Sequence, residues 1–351
     1  MAYGVVAALA SAVLFGLSTP LAKLLVGTSS PWLLAGVLYA GSGLGLFFVM
    51  AIRQFRTPGM RAIVLPQRGE WPWLLAAIFF GGIAGPVALM VGLVTSSAAT
   101  ASLLLNLEGV FTALLAWFVF HENFDRRVML GMAAIVAGGL VLAWSPDAQA
   151  EASLGLVLVV AACLCWAIDN NLTRKVAASD ALMIACLKGL AAGAVNLTLA
   201  LLLSQSLPPI DVTALALVLG FAGYGISLVL FVLALRHLGT ARAGAYFSVA
   251  PFFGTALAVV MFGDALTWQL GIAGLLMAAG VWLHLTEHHG HRHVHDVLEH
   301  AHPHSHDEHH RHGHDFAWNG IEPHVHPHVH APMTHSHAHY PDLHHRHRHP
   351  H

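Results

Sequence analysis

A series of ten apolar stretches, each of about 20 residues and separated by short polar breaks, is the feature that most constrains this chain. A helix of that length spans the hydrocarbon core of a lipid bilayer. Only 10% of the residues are charged, against roughly 25% in soluble domains, so the chain lacks the polar surface that water requires. We therefore predict an all-α integral membrane protein with ten transmembrane helices. The predicted spans are 4–26, 31–52, 73–93, 98–120, 128–144, 154–172, 181–204, 212–235, 239–262 and 267–285.

Basic residues are distributed unevenly among the short loops between these spans. Lys and Arg are enriched in cytoplasmic loops of membrane proteins. Ten of them lie in or beside the second, fourth, sixth and eighth loops, and the alternate loops contain none. This bias predicts a cell-membrane protein with both termini in the cytoplasm. The ten are Arg53, Arg56, Arg61, Arg68, Arg126, Arg127, Arg174, Lys175, Arg236 and Arg242.

The chain also repeats itself. FGLSTPLAK (15–23) aligns with WAIDNNLTR (166–174), and residues 95–122 align with 237–264. Each repeat contains five predicted helices, and an odd number inserts the two halves in opposite orientations. We predict two inverted five-helix repeats, 1–146 and 147–286, followed by a disordered, histidine-rich cytoplasmic tail, 287–351.

Four segments together resemble a known family: FGLSTPLAK in the first span, NLEGVFTALLAWFVFHE in the fourth, AIDNNLTRK in the sixth and SVAPFFGTALAVVMFGD in the ninth. They are similar to the EamA-type drug/metabolite transporter superfamily, and the resemblance covers residues 1–285. It implies alternating access, with proton-coupled exchange or facilitated movement of small solutes, and it fixes no substrate. One position departs from the family pattern, since Gly109 stands where many relatives have the proline that matches Pro251.

Ionisable residues inside the predicted spans are the candidates for a transport pathway, because each costs roughly 2.5–3.5 kcal/mol at the bilayer centre. Glu108 lies near the middle of the fourth span, two residues after Asn106. We interpret it as a protonatable carboxylate that couples proton movement to solute. The alternative is a permanently neutral or hydrogen-bonded core carboxylate.

A second polar cluster lies in the sixth span, where Asp169 is followed by Asn170 and Asn171. Lys188 has a similar predicted depth in the seventh span. An ion pair between Asp169 and Lys188 is expected, because either charge alone would be costly at that depth. The sequence leaves open whether this pair is a gate or a structural clasp.

The tail holds 25 of the 28 histidines, all within residues 288–351. Imidazole suits Zn and Ni better than Mg or Ca, and the frequent His-x-His spacing supplies several nitrogens to one ion. We therefore predict transition-metal binding by the tail; the alternative is a low-complexity segment with incidental affinity. The candidate ligands are His302, His304, His306, His324, His326, His328, His330, His335, His337, His339, His344 and His345.

Three functions compete. The first is a secondary transporter of a small organic solute with a metal-binding regulatory tail, and the second is a transporter of Ni, Co or Zn ions. The third is a membrane-anchored metal buffer or sensor that transports nothing. The sequence contains no nucleophile–base arrangement, zinc-protease motif or phosphate loop that predicts an enzyme, and no cofactor is required. The expected partners are the lipid bilayer and a small-molecule or metal-ion substrate; a homodimer is left open, and a net charge of −2 gives no reason to expect nucleic acid.

Overall fold

The computed structural model divides the chain into a membrane unit, Met1–Glu287, and a tail unit, His288–His351. In the membrane unit it describes residues 2–27, 29–56, 66–120, 126–144, 150–176, 179–203, 205 and 208–286. In the tail it describes residues 290–295, 298–304, 324–330 and 333–338.

The described part of the membrane unit is helical. Its helices are α1 (Ala2–Val26), α2 (Pro31–Arg56), α3 (Trp71–Ala77), α4 (Gly85–Thr95), α5 (Ala98–Leu104), α6 (Leu107–Phe120), α7 (Arg126–Ala143), α8 (Ala150–Val176), α9 (Ala181–Leu202), α10 (Ile210–Leu219), α11 (Ser227–Phe247), α12 (Ala250–Phe262) and α13 (Trp268–Leu285). Nine helical segments among the described residues are long and apolar enough to cross a membrane. The remaining predicted span, 128–144, falls on α7, whose apolar part, Met129–Ala143, is shorter.

Two of the membrane segments contain a π-helical turn. One, Ile78–Ala84, joins α3 to α4, and the other, Gly220–Ile226, joins α10 to α11. They occupy the third helix of each predicted repeat, and both are rich in glycine (IFFGGIA and GFAGYGI). A π-turn alters the normal ladder of backbone hydrogen bonds and is frequent at functional sites. Both repeats therefore carry the same local widening of the same helix.

Two further segments are interrupted at matching positions. The break between α5 and α6 lies at Leu105 and Asn106, and the break between α11 and α12 lies at Ser248 and Val249. The alignment of 95–122 with 237–264 places residue 106 opposite residue 248. These breaks place the first turn of α6, which contains Glu108, beside the interior of the bundle.

Close contact between α2 and α9 depends on glycine. A side-chain carbon at Gly189 would lie 2.5 Å from the backbone nitrogen of Gly43, and one at Gly193 would lie 2.6 Å from that of Ala40. Small residues at four-residue spacing let membrane helices approach this closely. The contact positions Lys188 of α9 in the buried interior, where only 2% of the residue is exposed.

In the tail, the structure describes four short strands: β1 (Gly290–His295), β2 (Leu298–His304), β3 (His324–His330) and β4 (Met333–Ala338). β1 pairs with β4 and β2 with β3, both antiparallel. The His-x-His alternation in these segments has the two-residue period of a strand. Five Cα partners join histidine to histidine: His291 with His337, His293 with His335, His300 with His328, His302 with His326, and His304 with His324.

Candidate functional site

A cavity in the membrane unit collects residues from both predicted repeats. Its non-atom space is about 500 Å³, a volume that includes open solvent at its mouth. The lining combines aromatic rings with a few ionisable and amide groups. It consists of Phe15, Tyr39, Glu108, Trp166, Asp169, Asn170, Lys188, Gly223, Tyr224, Ser227, Leu228, Phe231 and Phe247.

Glu108 is buried, with 9% of its surface exposed. The side-chain amide of Asn170 donates a hydrogen bond of 2.8 Å to Oε1 of Glu108 and also lies 3.4 Å from the hydroxyl of Thr112. A neutral amide can donate to a carboxylate or to the carbonyl oxygen of a protonated carboxyl. The contact therefore orients Glu108 in either protonation state.

Asp169 and Lys188 form the ion pair that the sequence predicts. Nζ of Lys188 lies 2.5 Å from Oδ1 and 2.7 Å from Oδ2 of Asp169, and 3.1 Å from the hydroxyl of Thr173. Thr173 in turn donates to Oδ1 of Asp169 at 2.8 Å. An ammonium group has three donors, and these three acceptors match them. The pair is therefore balanced in charge and in hydrogen bonding.

Asn106 lies elsewhere. Its amide donates to the carbonyl of Leu103 at 3.2 Å and lies 3.7 Å from the sulfur of Met277, away from the cavity lining. The structure thus brings four of the five predicted pathway residues to one cavity and leaves Asn106 at the helix break between α5 and α6. At that break, Asn106 forms its hydrogen bond with the local backbone and not with the residues that line the cavity.

Comparison with known proteins identifies the family. Residues 2–144 and, separately, 153–286 match the EamA-like transporter family. This chain belongs to the EamA-like transporter family. It is a multi-pass membrane transporter built from two tandem EamA units, as the segments in the first, fourth, sixth and ninth spans predicted.

Named relatives agree with this assignment. An uncharacterized transporter of Methanothermobacter thermautotrophicus is 26% identical over 80% of this chain and 85% of its own length. A probable amino-acid metabolite efflux pump of Salmonella typhimurium is 30% identical over 48% of this chain and 52% of its own length. A crystal structure of 20% sequence identity superimposes with a TM-score of 0.63, covering 81% of this chain and 96% of the other, and it shows the shared fold.

The aromatic lining of this EamA cavity was missed by sequence reasoning. Phe15 contacts Trp166, Tyr224 and Phe247, with ring centroids 5.5, 5.9 and 5.4 Å apart. A signal did exist, because Phe15 and Trp166 are the first residues of the two aligned repeat segments, FGLSTPLAK and WAIDNNLTR. Aromatic residues are common throughout membrane helices, so their type alone did not distinguish the lining from the lipid-facing surface.

The first π-turn is tied to the cavity wall. The hydroxyl of Tyr39 and the indole nitrogen of Trp166 both donate to the carbonyl oxygen of Gly81, at 2.6 and 3.0 Å. The amide of Asn196 donates to the next carbonyl, that of Gly82, at 2.9 Å. Carbonyls that the wide turn exposes are thereby satisfied by side chains, and the two aromatic rings are held at the cavity.

Lys23 lies in the last turn of α1 and donates to the backbone carbonyls of Leu93 and Val94. These carbonyls belong to the last turn of α4, where a cation is favoured by the helix dipole. Asp264 accepts a hydrogen bond of 3.0 Å from the backbone nitrogen of Ala99 at the start of α5. Its predicted counterpart in the first repeat, Glu122, lies outside the described residues.

The candidate metal ligands fall in two groups. Eight lie in the described strands: His302, His304, His324, His326, His328, His330, His335 and His337. Four lie outside the described residues: His306, His339, His344 and His345. Within the described residues of the membrane unit, no group of three or more His, Cys, Asp or Glu side chains is arranged to hold a metal ion.

Proposed function

We propose that this EamA transporter exchanges a small organic solute for protons through the cavity, with Glu108 as the group that takes up and releases the proton. The observation that carries the proposal is the contrast between two neighbouring carboxylates. Asp169 forms an ion pair with Lys188, whereas the hydrogen-bond partner described for the carboxylate of Glu108 is the neutral amide of Asn170.

The contrast has a direct consequence for binding. A buried carboxylate without a cation is costly, so Glu108 favours either a proton or a solute that brings a donor. These two occupants exclude one another at the same oxygen atoms. A transporter in which proton and solute compete for one site exchanges them across the membrane, provided that the site is exposed to each side in turn.

The composition of the lining supports an organic solute. Aromatic rings from α1, α8 and α11 surround a few polar groups, which is the usual make-up of a site for small molecules. The name of the Salmonella relative, an efflux pump for amino-acid metabolites, supports a small metabolite and the direction of export.

The test uses the full chain in proteoliposomes with a pH-sensitive dye inside and an imposed pH gradient. Small organic solutes are added one at a time, and we expect transported ones to dissipate the gradient. Glu108→Gln removes the titratable group and should abolish solute-dependent proton flux. Asp211→Asn is the matched control, because Asp211 lies exposed in the first turn of α10 and should leave the flux unchanged. The proposal is contradicted if solute transport is independent of the pH gradient and is unchanged in Glu108→Gln.

We infer that the tail binds Zn²⁺ or Ni²⁺ and that it regulates transport or buffers the metal without being part of the pathway. The described strands support this role, because their register pairs histidine with histidine. Pairs such as His302–His326 and His304–His324 are neighbours in register.

Isothermal titration of the purified full chain with Zn²⁺ tests the binding. Imidazole has an ordinary pKa of about 6.5, so protons compete for the same nitrogens and binding should weaken steeply between pH 7.5 and pH 5.5. Replacing His324, His326 and His328 by Ser should remove more sites than replacing His344, His345 and His347. Equal losses would assign binding to composition and not to strand register; binding that is unchanged at pH 5.5 would contradict imidazole ligation.

Deletion of 288–351 tests the regulatory role. We expect the truncated protein to transport its solute and to lose the response of transport to added Zn²⁺ or Ni²⁺. If the truncated protein moves nothing, and the intact protein moves only metal ions, then metal is the substrate and the separation of pathway and tail is wrong.

A further inference from the structure

The described lining of the cavity contains more acidic than basic side chains. Its lining contains two carboxylates, Glu108 and Asp169, and one cation, Lys188, among the residues that the structure describes. Lys188 is committed to Asp169 and Thr173, with acceptors for all three of its protons. One negative charge, that of Glu108, is therefore left for a solute or a proton to neutralise.

The same cavity is walled by π-systems. Phe15 links the rings of Trp166, Tyr224 and Phe247, and Phe247 continues to Phe231 with centroids 4.9 Å apart. Aromatic rings have negative faces, and they attract an organic cation within about 6 Å of the ring centroid. A continuous aromatic wall beside an unbalanced carboxylate is the chemistry that recognises an ammonium group attached to an apolar body.

We propose that the solute of this transporter is a monovalent organic cation, held by the carboxylate of Glu108 and the aromatic wall formed by Phe15, Trp166, Tyr224, Phe231 and Phe247. The proposal rests on the proposed exchange function and adds the charge of its substrate. Free zwitterionic amino acids fit less well, because their carboxylate requires a cationic partner. The cation that lines the cavity already has three acceptors at 2.5, 2.7 and 3.1 Å.

Proton and cation are expected to compete for Glu108. When the carboxyl is protonated, arrival of the cation leaves a carboxylate–ammonium pair in the cavity and sends one proton to the solvent. Among the residues that the structure describes, the titratable groups that face Glu108 or line the same cavity are Asp169 and Cys163 of α8, Tyr39 of α2, Lys188 of α9 and Tyr224 of the second π-turn. Asp169 and Lys188 neutralise one another, which leaves Glu108 as the group that responds to the cation.

The experiment compares four phenylethyl compounds that differ in charge: trimethyl(2-phenylethyl)ammonium as a permanent cation, 2-phenylethanol as a neutral compound, phenylalanine as a zwitterion and 3-phenylpropionate as an anion. Binding to the full chain in detergent is measured by isothermal titration in two buffers with different enthalpies of ionisation. The chosen cation carries no exchangeable proton on nitrogen, so any proton released on binding comes from the protein. We expect the cation to bind at least about tenfold more tightly than the other three, a difference of about 1.4 kcal/mol, and to release a proton.

Variants separate the two parts of the site. Glu108→Gln should abolish proton release and weaken binding of the cation. Glu108→Asp keeps the carboxylate and should retain proton release. Phe247→Leu should raise the dissociation constant of the cation about threefold to tenfold, as expected for one lost cation–π contact, and should affect binding of 2-phenylethanol less. Size-exclusion chromatography establishes that each variant is folded, and Asp211→Asn serves as the unaffected control.

The binding experiment and the proteoliposome experiment can fail independently of one another. Tightest binding of phenylalanine, equal binding of the cation and 2-phenylethanol, or no binding of the cation overturns the assignment of charge and leaves proton-coupled exchange standing. Conversely, a protein that binds the cation with proton release but moves no solute in proteoliposomes retains the cation site and loses the proposed transport function.

Discussion

At the scale of residues, the site depends on the pairing of one buried lysine. Lys188 would be costly in an apolar helix by itself, and its three acceptors, two on Asp169 and one on Thr173, compensate that cost. The pair could be predicted because both residues have similar depths in adjacent spans. The bonds from Tyr39 and Trp166 to Gly81 could not, because they depend on carbonyls that a π-turn exposes and that no side-chain pattern reveals.

A double-mutant cycle on the pair decides between clasp and gate. Lys188→Met leaves the Asp169 carboxylate without its cation, and Asp169→Asn leaves the lysine without its anion. Each should destabilise the protein by about 3–5 kcal/mol, measured as a lower melting temperature in detergent. The double variant buries no unpaired charge and should recover most of the loss.

Transport by the double variant gives the functional part of the answer. A structural clasp predicts that the recovered double variant transports; a gate predicts that it is stable and inactive. If the double variant loses as much stability as the two single variants combined, Asp169 and Lys188 are not paired.

At the scale of elements, the helices could be predicted from the sequence, whereas the π-turns and helix breaks that shape the site could not. Hydropathy predicts where the helices cross the membrane, because burial in lipid depends on average composition over about 20 residues. It does not predict the π-turns at Ile78–Ala84 and Gly220–Ile226, since the hydrogen-bond register of a helix changes without any change in hydropathy. The repeat alignment places the breaks at Asn106 and Ser248 opposite one another, although only the structure shows that both are breaks.

Gly81 lies where the first π-turn meets the ion pair, and its replacement tests how closely the two are coupled. A side-chain carbon at Gly81 would overlap the carboxylate of Asp169, so Gly81→Ala should displace Asp169 from Lys188. We expect a lower melting temperature and weaker solute binding. In α13, Gly274→Ala is the matched control: apart from the backbone of its own helix, no atom of the described residues lies within 4 Å of the added carbon. The better helix propensity of alanine should leave stability unchanged or raised by up to about 1 kcal/mol. Equal effects of the two substitutions would contradict the contact.

At the scale of the whole molecule, both repeats contribute to one cavity. The first repeat supplies Phe15, Tyr39 and Glu108, and the second supplies the remaining lining residues. The duplication could be read from the sequence, because two pairs of segments align in the same order. The volume and lining of the cavity could not, because they depend on how the two repeats face one another. In the tail, the two-residue period of histidine was visible, but the partners of each strand were not.

Alternating access of the cavity is the central claim, and a cysteine at Leu228 tests it most directly. Leu228→Cys is placed in a background in which Cys163, Cys165 and Cys186 are replaced by Ala, and a membrane-impermeant maleimide is added to one side of the proteoliposomes at a time. Leu275→Cys is the control. Leu275 lies in the membrane span of α13 with 74% of its surface exposed, so it is expected to face lipid and should not be labelled from either side. We predict that Leu228→Cys is labelled from both sides and that reversing the pH gradient shifts labelling from one side to the other. Labelling from a single side under every gradient would contradict the account.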